Sequence, residues 1–78
     1  MAFKPGNLPL STVRKILINQ GCKKFDITAG HEKWTRNDLL RPIIIQTHID
    51  PVPTFIVLQI MRTLSISRDK MEKILKEI

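Results

Sequence analysis

Apolar residues recur along this chain in two rhythms, and the changes between them mark out its elements. Val13, Ile16 and Leu17 keep the i, i+3, i+4 spacing of a helix with one buried stripe. Ser11 stands where an N-cap belongs, and Gly21 can take the left-handed conformation that closes a helix, so a first helix is expected over about 11–20. At 100° per residue Lys15 points directly away from the stripe and Arg14 sits to its side, and both are expected to face water or a partner. From Cys22 to Thr28 the period drops to two, with Phe25 and Ile27 on one face and Lys24 and Asp26 on the other, the pattern of a half-buried strand.

Thr28-Ala29-Gly30 turns the chain into a second strand, His31 to Arg36. Alternation places His31, Lys33 and Thr35 on one side and Glu32, Trp34 and Arg36 on the other, with Trp34 as the core anchor. After the turn signal Asn37-Asp38 and Pro42, the β-branched run Ile43-Ile44-Ile45-Gln46-Thr47 predicts a third strand able to bury both faces. Pro53 suits the first turn of a second helix, whose Ile56, Val57, Leu58, Ile60, Met61 and Leu64 spread over roughly 200° of its circumference. That arc is wider than one sheet can cover, and either a third helix or a bound partner would take the excess. Ser67 caps such a helix, Ile66 and Met71 are spaced as a hydrophobic staple, Met71, Ile74, Leu75 and Ile78 form its stripe, and Glu72 and Lys76 stand in the favourable i, i+4 order.

The order helix, three short-linked strands, helix, helix predicts an α+β, two-layer domain: a three-stranded antiparallel sheet with the helices on one face and the other face free. Residues 1–8, with Pro5 and Gly6 and no apolar periodicity, read as a flexible arm pinned at Leu8, and residues 9–78 as a single domain. A chain of 78 residues buries only about 60 to 65% of its unfolded surface, which leaves room for one core.

Charge adds the first hint of a partner. The net charge is +6, and it is concentrated: residues 1–41 hold eight Lys or Arg against three acids, residues 42–78 five against four. Such a field gathers polyanions by releasing their counterions, which favours nucleic acid, although a +6 balance also serves solubility. The single cysteine, Cys22, cannot form an internal disulfide, the chain start lacks a secretory apolar run, and no stretch reaches the roughly 18 apolar residues of a membrane span. A cytoplasmic protein with no membrane attachment is expected.

The candidate chemistry centres on His31. The glycines are scattered with no phosphate-cradling loop, and Cys22, His31 and His48 lack metal-ligand spacing, so neither metal nor cofactor is expected. A histidine beside a turn is commonly a solvated or hydrogen-bonded residue. Here glycine precedes it, which allows a phosphate close approach, and a strand holds its ring. Imidazole exchanges protons near neutrality, and RNA brings its own nucleophile in the 2′-hydroxyl, so one positioned base and cations that stabilise charge on phosphorus suffice for cleavage. Lys33, on the face of His31, is the candidate cation, with a solvated lysine as the alternative. Lys23, Lys24, Arg36 and Arg41 either track an RNA backbone or guard strand edges. Trp34 either stacks a base or fills the core.

The motifs Gln20-Gly21, Ala29-Gly30-His31-Glu32-Lys33-Trp34, Ile45-Gln46-Thr47-His48 and Leu64-Ser65-Ile66-Ser67, in that order, give the chain a resemblance to a known family. From about Pro9 to about Lys76 it resembles the HicA (YcfA-like) toxins, bacterial mRNA interferases of type II toxin–antitoxin systems with a double-stranded-RNA-binding-domain-like fold. The family pattern is Gly-Ser-His where this chain has Ala29-Gly30-His31, and Leu-Gly-Ile-Ser where it has Leu64-Ser65-Ile66-Ser67. The resemblance implies that His31 is the catalytic residue of a metal-independent endoribonuclease acting on mRNA and blocked by a cognate HicB-like antitoxin. Two other classes stay open on the residues: a non-catalytic RNA-binding module, and an interaction domain that docks a partner through its apolar helix surface.

Overall fold

The computed structural model describes residues 6–78. It is an α+β, two-layer fold with elements α1 (Leu10–Asn19), β1 (Lys23–Thr28), β2 (His31–Thr35), β3 (Ile43–Gln46), α2 (Thr54–Thr63) and α3 (Arg68–Glu77). The strands form one antiparallel sheet in the order β1-β2-β3, compatible with the expected double-stranded-RNA-binding-domain-like arrangement plus one helix. Among the described residues, no helix is long and apolar enough to cross a membrane.

The helices share one core with one face of the sheet. Val13, Ile16 and Leu17 of α1, Val57, Ile60 and Met61 of α2, and Met71 and Ile74 of α3 are buried with Trp34, Ile43 and Ile45 of the strands. The third helix does take part of the wide apolar arc of α2, yet Phe55 remains 68% exposed. Both α1 and α2 end in the same device. After Gln20, Gly21 at φ +81° sends its N–H to the Ile18 carbonyl, and the Cys22 N–H reaches Leu17. After Leu64, Ser65 at φ +55° and Ile66 repeat those bonds to Arg62 and Met61. These are Schellman closures, and at 65 a serine adopts the left-handed conformation that glycine takes more cheaply. Ser67 caps α3 as its sequence predicts, accepting the Lys70 N–H.

Several features depart from what the local sequence predicts. Ser11 does not cap α1; Pro9 precedes the helix, and the Leu10 N–H is satisfied by Asp50 Oδ1 at 3.0 Å, forty residues away in sequence. Reciprocally, Asn7 Oδ1 accepts both the backbone N–H and the hydroxyl of Thr54 at the start of α2, each at 3.0 Å. Between these caps Leu8 and Val52 exchange two backbone hydrogen bonds. The ordered fold therefore includes Asn7 and Leu8, which the sequence assigned to an arm; Met1–Pro5 lie outside the described residues.

In β1, Phe25 and Ile27 are exposed rather than half-buried, at 56% and 62%. The register to β2 steps from Lys24–Trp34 to Asp26–Lys33, so Phe25 is the extra residue of a bulge, and β1 is an edge strand that the helices do not cover. Cys22 precedes this strand, and burial pushes its thiol up, with Arg36 opposing. In β3 only one face is buried: Ile43 and Ile45 point into the core and Ile44 is 50% exposed.

Arg14 departs as well. Instead of facing water or a partner, its guanidinium grips Glu32, the one buried charged residue among those described, through Nε at 3.1 Å and Nη2 at 2.5 Å. The Trp34 indole N–H donates to the same carboxylate at 3.2 Å. The hydrogen bond from Arg14 holds the Glu32 carboxyl below the usual carboxylate range, against burial, which acts upward.

Because the folded carboxyl titrates below its unfolded value, its stabilisation is complete above about pH 4.3 and is lost as pH falls through the folded value. Arg14→Ala is expected to cost about 2 kcal/mol in urea unfolding at pH 7, less than the roughly 3–5 of a fully buried pair because the guanidinium is 38% exposed and partly screened, and to remove that acid-side loss. Equal slopes of stability against pH in the two proteins would contradict it. Asn7→Ala removes the cap of α2 and should cost about 1 kcal/mol, while Ser11→Ala, at a position that caps nothing, should fall within about 0.5 kcal/mol of the parent.

Candidate functional site

Alternation along β2 decides what each face carries. Glu32 and Trp34 go to the core, so His31, Lys33 and Thr35 occupy the uncovered face. Cross-strand pairing brings Thr28 beside His31, Asp26 beside Lys33 and Lys23 beside Thr35, with Gln46 and Ile44 of β3 on the other side of His31 and Lys33.

His31 is presented by a two-residue hairpin. Thr28 pairs with His31, leaving Ala29 at φ +50° and Gly30 at φ +78° as the loop, the positive pair that a type I′ turn requires. The turn is fastened to the end of β3, since the Gly30 carbonyl accepts the Thr47 N–H at 2.8 Å and the Thr47 hydroxyl at 3.0 Å. The His31 ring is half-buried, and its Nδ1 lies 3.1 Å from the Ala29 carbonyl. A carbonyl can only accept, so this contact selects the tautomer protonated at Nδ1 and leaves the lone pair on Nε2.

The same fastening brings in His48, for which the sequence offered no role. A Cβ placed on Gly30 would sit 3.7 Å from His48 Nδ1 and 3.8 Å from Thr47 Oγ1. Both histidines therefore lie at one end of the sheet. The signal was present in the meander itself, because a third antiparallel strand returns its C-terminal end to the first turn.

The predicted cations do not all gather there. Lys33 shares the face of His31, and its Nζ is 3.7 Å from Asp26, an exposed pair that a competing anion can displace at little cost. Lys23 is on that face too, level with Thr35, roughly 13 Å along the strand from His31 at about 3.3 Å per residue. Lys24 pairs with Trp34 and lies over its indole, 5.8 Å from the ring centre, towards the helix layer. Trp34 is a core residue, not a stacking platform. Arg36 is engaged twice, by both oxygens of Asp38 and by the Gln20 carbonyl at 2.9 Å, so it braces the end of α1. Arg41 stands beyond the opposite edge, in a groove between β3 and α2.

Among the described residues, no group of three or more His, Cys, Asp or Glu could hold a metal ion. The chain matches no family model, no curated protein and no solved structure.

The turn that carries His31 supplies its own test. Ala29 pays a steric penalty at positive φ that asparagine largely escapes, and Asn-Gly is the favoured pair for this turn. Ala29→Asn should therefore raise stability by about 0.5–1 kcal/mol in thermal unfolding. A destabilised variant would show that the loop is held by something other than turn chemistry.

Proposed function

We propose that this chain is a toxin-type endoribonuclease of the HicA kind, an mRNA interferase in which His31 is the general base. The observation that carries the reading is the posture of that imidazole: half-exposed on an uncovered sheet face, its Nδ1 against the Ala29 carbonyl, its Nε2 lone pair free, with Lys33 on the same face. The order of elements, compatible with a double-stranded-RNA-binding-domain-like fold, and the net charge of +6 support the same partner.

In this reading Nε2 of His31 removes the proton from a ribose 2′-hydroxyl. The O2′–P bond forms, the P–O5′ bond breaks, and the 5′-oxygen takes up a proton, leaving a 2′,3′-cyclic phosphate and a 5′-hydroxyl. Lys33, released from Asp26 by the incoming phosphate, stabilises the charge that builds on phosphorus. Lys23 contacts the backbone farther along the face, and Lys24, Arg36 and Arg41 contribute to the long-range field rather than to the site. No cofactor takes part, the protein works in the cytoplasm, and a HicB-like antitoxin masks the face that holds His31.

The experiment is controlled expression of parent and His31→Ala, with transcripts followed in vivo and a labelled RNA in vitro. The variant should lose cleavage by at least about 10²-fold and no longer arrest growth, while keeping salt-dependent RNA binding. Undiminished cleavage by His31→Ala would remove the catalytic assignment. RNA bound by the parent but left intact would instead establish the non-catalytic RNA-binding module.

A further inference from the structure

The two edges of the sheet are treated differently. The β1 edge is bulged at Phe25 and carries Lys23 and Lys24, features that discourage further strand pairing. The β3 edge has no such protection. Continuing the register one step past His31–Gln46 pairs Gly30 with Thr47, and the Thr47 N–H does reach the Gly30 carbonyl. Alternation in an antiparallel ladder then makes Glu32–Ile45 and Trp34–Ile43 the hydrogen-bonded pairs and turns the N–H and C=O groups of Ile44 and Gln46 outward. The Gln46 carbonyl accepts a long bond from Ile49, at 3.4 Å; among the described residues no strand or side chain meets the Ile44 N–H, the Ile44 C=O or the Gln46 N–H.

Beside this open edge runs a groove of about 470 Å³, floored by β3 and walled by α2, in which Ile44, Ile49 and Phe55 stay exposed. Of the residues lining it, Arg41 alone is charged. An open backbone ladder next to an apolar trough is the arrangement that accepts an added strand: main-chain bonds supply affinity, and every second side chain drops into the trough.

We infer that the β3 edge and the α2 groove dock an extended, acidic segment of a partner protein as a fourth strand, with apolar residues at alternate positions over Phe55 and Ile56 and a carboxylate on Arg41. Charge selects this occupant over a second copy of the chain. Two copies meeting here would each bring Arg41 and no acid, on bodies of net charge +6. The inference does not rest on the ribonuclease reading: the groove borders the His31 face at Ile44 and Gln46 but includes neither His31 nor Lys33, and each reading can fail while the other stands.

The probes are two synthetic ten-residue peptides alternating valine with aspartate or with lysine, titrated by fluorescence polarisation and by amide hydrogen exchange on the full chain. The aspartate peptide should bind about tenfold more tightly than the lysine peptide and slow exchange at Ile44 and Gln46 about tenfold. Ile44→Pro removes an outward N–H without breaking an inward bond and should abolish that binding. Arg41→Glu, at an exposed position that leaves the core intact, should reverse the preference between the peptides, and it carries the test if Ile44→Pro does not fold. Equal affinity for both peptides without protection at Ile44 and Gln46 would overturn the inference. So would a dimer of the parent that dissociates in Arg41→Glu or Ile44→Pro, which would make a second copy the occupant.

Discussion

A carboxylate cannot be left alone under a helix layer, and Glu32 is the residue around which this small fold is arranged. Its charge is answered from two directions, by the Arg14 guanidinium descending from α1 and by the Trp34 indole two residues along its own strand. The triad sets the seat of α1 over β2. It also sets the sheet's polarity, because a strand that commits Glu32 and Trp34 inward must send His31 and Lys33 outward, and a slip of one residue would exchange the two sets. The orientation of the candidate catalytic ring is thus a by-product of where an acid had to be buried.

The open face and the unguarded β3 edge meet at Gln46, the cross-strand neighbour of His31. A strand added to that edge would run about 5 Å beyond β3, roughly two strand spacings from His31. An occupant of the groove therefore comes near the His31 face without having to cover it, and the side chains it projects to that face would share it with any bound RNA.

Much of this architecture was legible because the signals were local. The stripe of Val13, Ile16 and Leu17, the closure at Gly21, the cap at Ser67 and the inward turn of Trp34 each depend on residues a few positions apart. What escaped was decided by distant partners. Ser11 is a sound local cap that loses to Asp50, thirty-nine residues on. Arg14 lies beside its helix stripe, and nothing nearby announces that a carboxylate on β2 will claim it. Phe25 and Ile27 alternate like core residues, but β1 ended at a sheet edge and its bulge broke the alternation. At the site, the face shared by His31 and Lys33 followed from alternation along one strand, whereas Lys23 joins it only because the bulge at Phe25 resets the alternation of β1. The capture of Arg36 by Asp38 and the approach of His48 to Gly30 needed the tertiary fold.

The clasp in which Asn7 caps α2, Asp50 caps α1 and Leu8 bridges Val52 sets a schedule as well as a shape. Translation delivers α1 first, yet its amino end lacks its acceptor until residue 50 has been made, and the bridge closes only with Val52. On the ribosome the first helix must wait, unfinished, for most of the domain to emerge from the exit tunnel. The helix layer over β2 consequently takes its final form only after all three strands have been made.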